Sequence, residues 1–207
     1  MTAKFQDLDE KRRDDILNSA LKEFASRGYD KASTNIIAKE AKISKALMFH
    51  YVGSKKDLFL AVYDYFSDYI KQKYFDLMNY SERDIFKRLR QSYLLQIEML
   101  KKYPFIFDFN KLSRPTKCSE LNNEIEIRTS EKGKNCYPAL FDNIDTSKFR
   151  KGLDIEICKQ FIFWANVGFT NQILEKMRDE ECTLNLDYFI DEIDTYFNQL
   201  KKIFYES

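Results

Sequence analysis

A chain of 207 residues with 44% hydrophobic side chains but only 5 Gly and 3 Pro can bury a sizeable core and has little of the turn chemistry that β-rich folds require. A formal net charge of +1 excludes a uniformly basic nucleic-acid binder, while four scattered cysteines and a single histidine exclude a zinc site of ordinary spacing. No stretch of 18 apolar residues is present to span a membrane, and Met1 to Lys11 carries no apolar signal segment, so a cytoplasmic protein with reduced thiols and no membrane partner is expected.

Apolar residues recur at spacings of three and four throughout, which predicts an all-α fold. A first helix is predicted from about Asp9 to Arg27, with Ile16, Leu17, Ala20, Leu21 and Phe24 on one face and Gly28 as its stop. Two short helices follow. One starts at Ser33 and buries Ile36, Ile37 and Ala41; the other starts at Ser44 and buries Met48, Phe49 and Val52. Joined by a tight turn, they read as a helix-turn-helix whose second helix fits a DNA major groove. A fourth helix is predicted from Ser54, capped with Asp57, through Leu58, Phe59, Val62, Phe66 and Ile70 to about Asn79. Ser81 with Asp84 repeats that start signal before Ile85, Leu89, Tyr93, Ile97 and Leu100, and Pro104 ends that helix. Residues 105–153 are irregular apart from a helical stretch from Leu121 to Ser130. Two strong helices close the chain, from Asp154 to about Arg178 and from about Asn185 to Phe204.

Charge is distributed unevenly. Residues 1–56 hold 12 basic and 8 acidic side chains, and the remainder holds 22 and 25. A small basic head on a mildly acidic body fits a protein that touches phosphate with one end. The expected division is residues 1–53 as a three-helix DNA-binding head and 54–207 as a helical effector-binding and dimerisation body.

The run from Ile16 to Phe24 with Gly28-Tyr29, then Thr34 to Ala41, Ser44 to Val52 and Ser54 to Phe59, resembles the DNA-binding head of TetR-family transcriptional regulators. The resemblance covers about a quarter of the chain. It implies nine or so helices, a homodimer held by the last two, and a ligand cavity in the body whose filling releases double-stranded DNA. Position by position it implies phosphate contacts from Thr34 and Lys55 at helix N-termini and a further backbone contact from Tyr51. Asn35, Lys45, Ala46 and Leu47 face base edges, where lysine suits guanine, asparagine suits adenine and leucine a thymine methyl. Ser44 caps that helix and joins the set. The sequence departs from the family at Lys42, where the turn usually holds glycine, and at Phe49, where a tyrosine hydroxyl is lost; His50 is the candidate to compensate.

In the body, Phe66, Tyr69, Tyr93, Phe105, Phe109, Tyr137, Phe161 and Trp164 are the candidate lining of a cavity for a small, hydrophobic or aromatic effector. Phe169 and Ile173 on one C-terminal helix, with Phe189, Ile193, Phe197 and Leu200 on the other, are the candidate two-fold interface. Together these predict a ligand-responsive repressor that needs no cofactor. An enzyme is not expected, because the single histidine lies inside the DNA-binding motif and no nucleophile or metal set accompanies it. The alternative left open by Lys42 and Phe49 is a helical interaction adaptor that no longer binds DNA.

Overall fold

Side chains that accept from main-chain N–H groups set where the helices begin. In the computed structural model, which describes residues 5, 7–110, 116–132, 138–178 and 186–206, Asp9 accepts from Arg12 at 2.9 Å to open α1 (Glu10–Lys31). Gly28, at φ 68, breaks its helical path near the end. Ser33 opens α2 (Thr34–Glu40) and Ser44 opens α3 (Lys45–Val52), where it accepts from Leu47 at 3.1 Å. Ser54 and Asp57 form a reciprocal capping box on α4 (Lys55–Ile70), with bonds of 3.0 and 3.1 Å. The residues that follow are α5 (Ile85–Lys102), α6 (Ile106–Asn110), α7 (Ser119–Lys132), α8 (Ile155–Arg178) and α9 (Leu186–Phe204). Nine α-helices are thus present among the described residues, with no strand beyond an isolated bridge pairing Phe149 with Tyr205.

Two boundaries differ from expectation. α4 does not run to Asn79; it ends at Ile70 and passes into a π-helical turn, Lys71–Phe75. Downstream, the Gln91 side chain accepts from the Asn79 N–H at 3.0 Å and donates to the Leu77 carbonyl at 3.1 Å, taking main-chain groups that a longer helix would have used itself. The cap of α5 is Asp84, which accepts from Phe86 and Lys87 at 3.0 and 3.2 Å, rather than Ser81, whose hydroxyl donates to Asn79.

Packing divides the chain into two compact units, Met1–Asp76 with Glu98–Lys134 and Leu77–Ile97 with Asn135–Ser207. In the first unit, the predicted apolar face of α1 is fully buried, and α1 packs on α2, α4 and α6. Phe24 meets Phe59 edge-on at 5.0 Å, and Phe109 closes over Phe59 at 5.2 Å. Each such ring contributes roughly 1.5–3 kcal/mol by leaving water. Tyr103, fully buried, donates to Asp14 at 2.6 Å and pairs with the Tyr65 hydroxyl at 2.9 Å. Burial, and then the Asp14 bond, push the Tyr103 phenol well above its usual range.

The second unit is built on the N-terminal part of α5 with α8 and α9. Tyr93 packs at 5.6 Å from both Phe169 and Phe197, and Phe169 stacks on Tyr196 at 3.9 Å. Arg88, fully buried, donates to the carbonyls of Tyr80, Glu82, Leu140 and Asp142 at 2.7–3.1 Å, tying two loops to α5. The end of α9 is held by Arg150, whose N–H donates to the Phe204 carbonyl at 2.9 Å.

Candidate nucleic-acid interface

The turn between α2 and α3 closes with the two bonds of a Schellman motif. Ile43 N–H donates to the Ala38 carbonyl at 3.0 Å and Lys42 N–H to the Lys39 carbonyl at 3.1 Å. Lys42 is the left-handed residue this motif demands, at φ 56. The missing glycine therefore leaves the geometry intact, at a cost of roughly 1–2 kcal/mol for a side chain in that conformation.

α3 is anchored from one side only. Met48 and Val52 are buried, and Phe49 is half-buried with the Lys45 ammonium 5.8 Å from its ring centre. Ser44, Lys45, Ala46 and His50 are exposed, with Leu47 and Tyr51 half-buried beside them. His50 and Tyr51 meet edge-on at 5.8 Å. Thr34 and Asn35 occupy the first turn of α2. Lys55, at the start of α4, donates to the Asp30 carbonyl at 3.2 Å and lies 4.9 Å over the Tyr29 ring. Gly53 makes the corner before it at φ 89, where a Cβ would come within 2.9 Å of Asp57. All nine candidate DNA contacts thus fall within α2, α3 and the residues that cap or follow them, and Ser44, Lys45, Ala46 and His50 form an exposed, net-basic group.

Two contacts hold α2 in place against α1. Lys22 pairs with Glu40 at 3.3 Å. Glu23, almost fully buried, accepts the Ser33 N–H at 2.8 Å and pairs with Arg27 at 3.4 Å. The sequence reading missed Glu23, although it lies seven residues after Ile16, where an apolar stripe would place a hydrophobic side chain. Lys56, beside Lys55, pairs with Glu120 at 3.0 Å.

Phe66 is fully buried in the first unit and meets Tyr103 at 4.8 Å; Tyr69 meets the same ring at 5.1 Å. Phe109 is committed to the core of α1 and α4, and Phe105 borders an open cleft of about 420 Å³ with Asn18, Lys22 and Lys101. Tyr93 belongs to the second unit, where its hydroxyl donates to the Asn166 carbonyl at 3.1 Å. Tyr137 lies outside the described residues. Phe161 and Trp164 are 61% and 66% exposed in the protomer. Phe169, Ile173, Phe189, Ile193, Phe197 and Leu200 are all buried within one chain, with Phe169 and Phe197 packed on Tyr93 of α5.

Residues 16–62 match the sequence profile of bacterial regulatory proteins of the tetR family. An uncharacterised helix-turn-helix transcriptional regulator of Bacillus subtilis, YuxN, is 45% identical over 53 residues, which are 26% of this chain and only 18% of that protein. The fatty acid metabolism regulator protein of the same organism is 22% identical over 157 residues, 72% of this chain and 76% of its own length. Among solved structures, the ketosteroid transcriptional regulator KstR2 of Mycobacterium tuberculosis shares the fold over 97% of both chains, with a TM-score of 0.62 at 18% identity. The exposed, capped head thus carries the sequence profile of the tetR family of bacterial regulatory proteins, and the fold over nearly the whole chain is that of KstR2.

Proposed function

We propose that the protein is a dimeric, ligand-responsive repressor that occupies a palindromic operator and leaves it when a small hydrophobic effector binds the body. The observation that carries this is the exposed face of α3, where Ser44, Lys45, Ala46 and His50 stand free of the core while Met48 and Val52 hold the helix down. A dimer sets two such helices about 34–36 Å apart, one turn of duplex. Lys55 and Thr34 contact phosphate; Asn35, Lys45, Ala46 and Leu47 read base edges. The dimer surface we assign is the stripe of Leu153, Ile157, Phe161 and Trp164, exposed at 40–66% and spaced four, four and three residues apart along the start of α8. The effector class rests on the 18 Phe and 13 Tyr of the chain and agrees with the fatty-acid name of the Bacillus subtilis relative. To release the operator, the effector must bind the DNA-incompetent state more tightly than the competent one.

The test is selection of duplexes from a random pool at low ionic strength, followed by titration of variants on the recovered site. A palindrome is expected. Lys55→Ala weakens all sequences alike and lowers the salt slope by about one, whereas Lys45→Ala alters which bases are preferred. Recovery of no duplex, or unchanged affinity in both variants, would overturn the reading.

A further inference from the structure

α7 and the residues just before it are fastened to α1 and α4 by polar contacts. The Lys117 main-chain N–H donates to both carboxylate oxygens of Asp30 at 3.2 and 3.1 Å. Glu120 pairs with Lys56 at 3.0 Å, Arg128 with Asp64 at 3.2 Å, and the Thr129 hydroxyl with that of Tyr63 at 2.9 Å. Asp30 is therefore bracketed: its carboxylate is taken by the main chain of Lys117, while its carbonyl takes the Lys55 ammonium at 3.2 Å. Lys31, the next residue in the chain, is exposed, and so is Lys117.

We propose that Lys117, which lies far outside the helix-turn-helix, supplies a further DNA phosphate contact beside Lys55. The proposal rests on the DNA-binding reading above. A flexible four-carbon stem rising from a pinned main chain gives the ammonium a fixed base and a free tip. Each strand of a duplex carries one phosphate per about 3.4 Å of helix axis, a charge density that lets two lysines linked through Asp30 both meet backbone phosphate. The acids nearest to them are already engaged, Asp30 by main-chain N–H and Glu120 by Lys56. Because the clamp uses the main chain of Lys117, Lys117→Ala removes the charge and leaves the fastening of the segment in place.

The experiment is a salt titration of binding to a mixed-sequence DNA duplex between 50 and 200 mM, for the wild type, K117A, K117R and K202A. Lys202 is an exposed lysine of α9. K117A is expected to lower the salt slope by about 0.9 per protomer, about 1.8 for the dimer, so that it loses about twelvefold less affinity across that range than the wild type does. K117R restores the slope and K202A retains it, and the melting temperatures of all four agree. A wild-type slope in K117A, or the same loss in K117R as in K117A, overturns the proposal while leaving the DNA-binding reading standing. A wild type that binds no duplex removes both.

Discussion

Lys42 shows how a family position is filled against its preference. Both turn bonds are made at φ 56, so the motif is set by main-chain geometry, and the lysine accepts the strain. Lys42→Gly is expected to raise the melting temperature by about 2 °C, since relief of roughly 1–2 kcal/mol is partly offset by the added freedom of glycine in the unfolded chain. Circular-dichroism melts check this, and an unchanged or lower midpoint would show that the turn carries no net strain. Glu23 makes the complementary point. It was invisible as a functional residue because its partner, the Ser33 N–H, lies ten residues away across the α1–α2 connection. The caps, in contrast, were legible: Asp9, Ser33, Ser44, Ser54 and Asp154 each bond a donor two or three residues on, within the window that a sequence reading inspects.

Among the elements, α5 was read correctly as a helix and incompletely as an organiser. Arg88 serves four carbonyls on two loops with a planar fork that a lysine does not reproduce. Arg88→Lys is expected to cost on the order of 3 kcal/mol, because buried carbonyls lose their donors. Urea unfolding of the variant measures it. Arg90 holds Asp194 of α9 through two parallel bonds, and the guanidinium keeps the Asp194 carboxyl below its ordinary value. A lowered carboxyl stabilises the fold above its unfolded pKa, and that stability is lost as pH falls through the lower, folded value. Stability from this pair is thus complete above about pH 4 and fades below it, and with both side chains more than a third exposed it amounts to about 1 kcal/mol or less. Asp194→Asn should flatten that part of the acid limb and lower stability slightly at pH 7, as followed by urea midpoints against pH.

For the assembled protein, the exposed and buried stripes of α8 and α9 predict opposite outcomes. Phe161→Glu with Trp164→Glu should give a folded particle of monomer mass at micromolar concentration, with weakened retention of a palindrome, as sedimentation and gel shift would record. Phe197→Ala should instead lower stability by about 3–5 kcal/mol, because it opens a cavity in the core of the second unit. If the double variant still sedimented as a dimer, the α8 stripe would not be the interface. The capped head, the α2–α3 turn and the order of the longer helices were readable, since each rests on signals within a few residues of chain, whereas the short α6 was not. Which of two apolar stripes on α8 turns inward was not readable. Phe161 and Phe169 are eight residues apart and equally apolar, so periodicity ranks them alike, and only the approach of Tyr93 from α5 and Tyr196 from α9 commits Phe169 to the core and leaves Phe161 on the surface of the protomer.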